Sequence, residues 1–188
     1  MLPPNWCSRI QRDDTSRNNP RNVVDDQLRA KVVRSLAVAD LDIGAYDIVY
    51  FAGGWGAAFD LGFSDAIGEK VTQANAAGKV IGGVCHGPLG LLRATGTDGR
   101  PLVAGRRVSA VTDKQVRELG IETTPHHPET ELRLLGADFR CRHRRRDPLA
   151  NHWEVDGNLV TGQNQNAGPM VAREMMKLLA AEGDRSIT

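Results

Sequence analysis

Three cysteines, Cys7, Cys85 and Cys141, are too few and too widely spaced for a disulfide framework or for a zinc site built on short ligand spacings. Long apolar runs are missing too. Those present are strand-sized, which excludes a membrane span by the usual length criterion. The opening residues Met1-Leu2-Pro3-Pro4-Asn5-Trp6 lack the basic and apolar regions of a secretory leader, so a cytoplasmic location is expected. Charge of one sign is lacking as well. With 24 Lys and Arg against 23 Asp and Glu, the formal net charge of +1 gives no electrostatic reason for a nucleic-acid or anionic-membrane partner, and neither is expected.

What remains is an ordinary soluble composition, 40% hydrophobic and 25% charged, over 188 residues. That length suits one α/β domain with a substantial core. Residues 1–24 are polar, rich in Arg and Asn, and carry prolines at 3, 4 and 20, so they read as an arm without regular structure. The domain is expected over 25–182, with a tail at 183–188.

The most informative stretch is Lys79-Val80-Ile81-Gly82-Gly83-Val84-Cys85-His86-Gly87-Pro88. A β-branched run bounded by Gly78 and by Gly87-Pro88 reads as a buried parallel strand, and the apolar cluster Leu89 to Leu92 resumes with helical character. A strand, a tight turn bearing a nucleophile and a helix make a nucleophile elbow, with cysteine in the place of serine. Cys85 is then expected as a thiolate, lowered in pKa by the helix end, with His86 as the proton acceptor. The bland alternative is a small buried hydrophobe.

Around this stretch the pattern alternates. Asp25 could cap a helix through Leu28, Val32 and Leu36. Ile48-Val49-Tyr50-Phe51-Ala52 reads as a strand opening into Gly53-Gly54, and Ser64 caps a helix with Ile67, Val71 and Ala74 on its buried face. A right-handed crossover makes this strand and the Cys85 strand parallel, with their loops at one edge. Arg107 to Val111 reads as a strand ending at Thr112-Asp113, and Pro128 starts a helix closed by Gly136. Trp153-Glu154-Val155 and Asn158-Leu159-Val160-Thr161 flank Asp156-Gly157 as a hairpin. A last helix from about Met170 to Leu179 turns Val171, Met175, Leu178 and Leu179 to the core.

Phe51-Ala52-Gly53-Gly54-Trp55-Gly56, the Cys85 stretch and Asp156-Gly157-Asn158-Leu159-Val160-Thr161-Gly162-Gln163-Asn164 together resemble the ThiJ/PfpI superfamily, in its branch of heat-inducible chaperones and glutathione-independent glyoxalases. The resemblance spans roughly Tyr46 to Leu179. It implies a three-layer α/β sandwich, with a flavodoxin-like, mostly parallel sheet, helices on both faces and a nucleophile elbow. Cys85 would be the nucleophile and His86 the base. The N–H groups of Gly53, Gly54 and His86 would form an oxyanion hole, worth about 3 kcal/mol per donor in acyl-type chemistry. Trp55 stands where the branch commonly has His.

Relatives of this kind begin with a short hydrophobic strand and a loop whose acidic residue bonds the thiol. Nothing before Tyr46 reads as that strand, so the chain is expected to begin downstream of the family's usual start, leaving a gap or exposed edge beside the Cys85 strand.

Other candidates keep two readings each. Asp113 either holds the His86 tautomer or is a turn aspartate. His126-His127-Pro128-Glu129 carries an amidotransferase-like His-Pro-Glu, but it follows Cys85 too closely for that layout and more simply starts a helix. The amides of Gln163 and Asn164 bind substrate or satisfy a loop. The basic run Arg140 to Arg146 is a solvated strand and turn, or an anion or nucleic-acid contact.

The function expected is a cofactor-free, cysteine-dependent conversion of small α-oxoaldehydes such as methylglyoxal to 2-hydroxy acids. The alternatives are a non-catalytic chaperone or redox sensor, and then an amidase or peptidase. A small carbonyl substrate and a homodimer are the expected partners, with no metal.

Overall fold

The computed structural model describes residues 26–145 and 150–185, and the expected N-terminal arm and C-terminal tail fall outside or at the limit of these. The described residues divide into two units, the first ending at Leu36 and the second beginning at Ala37. Within the first, α1 spans Asp26–Val33, and the expected extension to Leu36 is not made.

The second unit is built on a four-stranded sheet. Its strands are β1 (Ile48–Phe51), β2 (Val80–Val84), β5 (Trp153–Asp156) and β6 (Leu159–Gly162), in the order β1-β2-β6-β5. β1, β2 and β6 run parallel, and β5 returns antiparallel on β6 as the expected hairpin, with Trp153 opposite Gly162 and Asp156 opposite Leu159. Between β1 and β2 lie α2 (Ala57–Asp60) and α3 (Asp65–Ala76). The Ser64 side chain caps α3 by accepting from the Ile67 N–H, as the sequence indicates.

β2 is buried at every position, and its side chains alternate between two cores. Ile81, with Leu159 of β6, packs with Ile67, Val71 and Ala74 of α3. Val80 and Val84, with Val160, pack on the other face with Ala167, Val171 and Met175. The last two belong to the closing helix. The sheet is therefore covered on both faces, and the fold is a flavodoxin-like α/β sandwich.

A smaller parallel pair, β3 (Arg107–Val108) and β4 (Asp138–Phe139), stands apart from this sheet. The strand expected over Arg107 to Val111 stops at Val108 because the next residues bond elsewhere. Ser109 N–H donates to Thr161 Oγ1 at 2.8 Å, and Val111 N–H donates to the Cys85 carbonyl at 3.0 Å. Beyond them come α4 (Asp113–Glu118), α5 (Pro128–Leu134) and α6 (Gly168–Arg185). α5 begins on Pro128, with Glu129 and Glu131 in its first turn, as expected from the helix dipole. Among the described residues no helix is long and apolar enough to cross a membrane.

Two expectations are corrected. The Cys85 strand has no open side, since β2 pairs with β1 and with β6. Among the described residues the unpaired edges of this sheet are the outer sides of β1, one strand away from the Cys85 strand, and of β5. The segment after Cys85 is a 3-10 turn, Gly87–Leu91, and not an α-helix. Pro88 and two glycines oppose an α conformation there, and Gly87 lies so close to β1 that a Cβ would come within 2.3 Å of the Phe51 carbonyl oxygen.

Candidate active site

The parallel strands β1 and β2 end at the same edge, so Gly53-Gly54 and Cys85 are brought together by register alone, Phe51 lying opposite Gly83. Gly53 approaches so closely that a Cβ there would stand 2.7 Å from Cys85 Cβ and 2.9 Å from the Val84 carbonyl oxygen. Cys85 has φ of +60°, the only positive value at a non-glycine residue among those described. A left-handed conformation costs an L-residue about 1–2 kcal/mol, and here it turns the thiol out of the strand line into a cleft. This is the strained corner expected of a nucleophile elbow, reached without an α-helix behind it.

The cleft has a volume of about 450 Å³. Gly53, Gly54, Trp55 and Cys85 form one part of its lining, and Val84, Val111, Gln115, Leu119, Asn164 and Gln165 the rest. The backbone N–H groups of Gly54 and His86 lie near the sulfur and favour its ionised form. They are the donors an anion formed at this point would meet, and Gly53 supplies the space for their approach. The sulfur itself is not held as a thiolate. Burial pushes the Cys85 thiol above its ordinary pKa, and the two N–H groups only partly oppose this. The expected helix-end effect is weak because a five-residue 3-10 turn has little dipole.

His86 turns back on its neighbour, with Nδ1 3.4 Å from Cys85 Sγ. The ring is fully buried, and burial with the nearby His127 lowers its pKa to about 4, so it is neutral at physiological pH. A thiol donating to Nδ1 leaves the ring proton on Nε2. That atom is buried and has no partner. Asp113, the expected partner, does not supply one. Its Oδ2 accepts from Thr130 Oγ1 at 2.6 Å, its N–H donates to Glu129 Oε2 at 2.9 Å, and its Oδ1 is buried and unpaired. The first turn of α5 thus grips Asp113 at the start of α4, where a carboxylate is favoured. The Val111–Cys85 backbone bond nonetheless runs the segment that leads into α4 beside the nucleophile.

The remaining candidates separate. Asn164 reaches the cleft, yet its amide donates to the Ala150 carbonyl and its oxygen accepts from the Asn166 N–H at 3.0 Å. Gln163 is buried behind it, holding Arg142 through both N–H and carbonyl at 2.9 Å. Its role is loop support. His126 is paired with Glu131 at 2.7 Å and packs against Phe63 with the rings tilted by 46° and their centroids 4.0 Å apart. Arg140 is paired with Asp138 at 2.7 Å as β4 ends, in keeping with a solvated strand and turn.

Three lining residues were missed. Gln115 lies three residues after Thr112, and the two form a capping box with bonds of 3.0 Å, a pattern visible in Thr-Asp-Lys-Gln. Leu119 and Gln165 follow from the fold and carry no sequence signal of their own.

Against known proteins, the DJ-1/PfpI family pattern matches residues 15–178. A probable glutathione-independent glyoxalase of Schizosaccharomyces pombe is 27% identical over 146 residues, which are 75% of this chain and 64% of that protein. The chain therefore spans just under two thirds of that relative. The Francisella tularensis rapid encystment protein of 24 kDa superposes with a TM-score of 0.74 at 25% identity, over 82% of this chain and 68% of the other. Glyoxalase III of Candida albicans superposes with a TM-score of 0.69 at 22% identity, over 85% and 74%, a likeness of fold.

Proposed function

The chain belongs to the DJ-1/PfpI family, and from that premise we propose that it converts α-oxoaldehydes to 2-hydroxy acids, with Cys85 as nucleophile and no cofactor. The observation that carries this reading is the strained Cys85 corner. It holds Sγ 3.4 Å from His86 Nδ1, under the N–H groups of Gly54 and His86, in an open cleft. The glyoxalase name of the Schizosaccharomyces pombe relative supports the same reaction class.

The chemistry balances with these groups alone. Cys85 Sγ bonds to the aldehyde carbon as its proton passes through His86 to the carbonyl oxygen, giving a hemithioacetal. His86 then removes the proton from that carbon and returns one to the adjacent carbon, so the first carbon is oxidised to a thioester while the ketone is reduced to an alcohol. Water cleaves the thioester, releasing the 2-hydroxy acid and the thiol. The anionic oxygen of each step is met by the Gly54 and His86 N–H groups.

In the resting cleft, transfer from a raised thiol to an imidazole of low basicity runs uphill. The reading therefore gives Asp113 a part. Its unpaired Oδ1 accepts a hydrogen bond from His86 Nε2–H as substrate enters, which satisfies two buried unpaired atoms and raises the basicity of the ring. A raised thiol also disfavours the redox-sensing alternative, because oxidation follows thiolate character. The test is turnover of methylglyoxal followed by lactate formation. The wild type produces lactate and Cys85→Ser does not; equal production by both overturns the proposal.

A further inference from the structure

We infer that the cleft selects uncharged α-oxoaldehydes bearing an aromatic or bulky apolar substituent over the three-carbon compound, and that Trp55 and Leu119 set this preference. The inference rests on the α-oxoaldehyde reading above and deepens it.

Size is the first ground. A cleft of about 450 Å³ lies in the range of sites for drug-sized ligands, and methylglyoxal would fill only a small part of it. Charge is the second. None of the lining residues is ionisable apart from Cys85 itself, and the polar side chains present are the amides of Gln115, Asn164 and Gln165. A carboxylate on the substrate would lose hydration with no cation to replace it. The third ground is the apolar surface left open. Trp55 is 55% exposed and Leu119 is 43% exposed, although both are large and both line the cleft. They come from different elements, Trp55 from the loop after β1 and Leu119 from the end of α4, so they flank Cys85 from separate parts of the chain. Neither contributes to the buried core, so the packing of the domain does not account for their size. An aromatic ring attached to the ketone carbon, with the aldehyde carbon at Cys85 Sγ, would cover the indole and the leucine together. The gain is that of ordinary apolar burial and aromatic contact.

The experiment compares kcat/KM for phenylglyoxal, methylglyoxal and a phenylglyoxal carrying a para-carboxylate, in the wild type and in Trp55→Ala, Leu119→Ala and Trp55→Phe. The expected wild-type preference for phenylglyoxal over methylglyoxal is at least about tenfold, the equivalent of about 1.4 kcal/mol. Trp55→Ala and Leu119→Ala lower that ratio, Trp55→Phe restores most of it, and Leu134→Ala, remote from the cleft and exposed, leaves it unaltered. The carboxylate-bearing ring falls below phenylglyoxal. A ratio near one in the wild type, or a ratio that Trp55→Ala does not move, overturns the inference while leaving the reaction intact.

A second measurement separates the two proposals. Alkylation of Cys85 by phenacyl bromide and by bromoacetone, followed by peptide mass mapping, needs no turnover. Faster modification by the aromatic reagent, slowed by Trp55→Ala, supports the apolar subsite even if no aldehyde is converted. Equal rates for both reagents refute it.

Discussion

Acid should destabilise this protein through one buried ring. His86 is fully buried with its pKa lowered from 6.5 to about 4, whereas in the unfolded chain it titrates at the ordinary value. Above pH 6.5 the ring is neutral in both states and contributes no pH dependence. Between pH 6.5 and about 4 the unfolded chain binds the proton and the folded protein does not, so stability rises with pH across this window and falls on acidification. Below about 4 both states are protonated and this contribution is flat. The total is about 3 kcal/mol, from about 1.4 kcal/mol per decade of proton affinity, a large part of the stability of a typical domain. The assay is urea unfolding at steps from pH 7.5 to pH 4, comparing the wild type with His86→Gln, which keeps a polar side chain without a titrating ring. Carboxylates change both proteins alike, so the difference isolates His86. The wild type should lose about 3 kcal/mol more than the variant on going down through the window. Parallel curves would refute the claim that the ring is held neutral by burial.

Gly53→Ala should cost about 1–3 kcal/mol of stability by urea unfolding and slow turnover, because the added Cβ meets Cys85 Cβ at 2.7 Å and the Val84 carbonyl oxygen at 2.9 Å. Cys85→Gly should be more stable than Cys85→Ala by about 1 kcal/mol, the reverse of the usual order, because only glycine adopts φ of +60° without strain; calorimetric Tm values decide it. Asp113→Asn should lower kcat for methylglyoxal by about 10²-fold or more near neutral pH while leaving KM similar, since the amide cannot stabilise a protonated His86. The kcat/KM profile should go on rising with pH beyond the ordinary thiol range, because burial pushes Cys85 up and His86 is already neutral.

Much of this arrangement was legible in the sequence because it rests on short-range pattern. The run Val80 to Val84 with its flanking glycines marks a central strand, and Phe51 to Gly54 marks the parallel neighbour that ends at the same edge. From these two, the meeting of Cys85 with the Gly53-Gly54 loop follows by topology. The Asp156-Gly157 hairpin and the Ser64 and Pro128 helix starts are likewise local signals. What failed depends on partners far along the chain. The reach of the 107–111 strand was cut because Ser109 and Val111 bond to Thr161 and Cys85, which no local propensity encodes. A thiolate at Cys85 requires helical character after it, whereas Gly87-Pro88 gives a 3-10 turn and burial outweighs the N–H groups. Asp113 is expected at His86 from its place after the strand, yet in the resting site its carboxylate accepts from Thr130, seventeen residues on, and its N–H donates to Glu129, sixteen residues on.

The most direct test is to quench the wild-type protein with acid during turnover of phenylglyoxal and to map its peptides by mass. A substrate-derived adduct on the peptide containing Cys85, absent before substrate is added and absent from Cys85→Ser, is the result expected. Turnover at full rate with an unmodified Cys85 peptide at every quench time would show that the sulfur at the strained corner takes no covalent part.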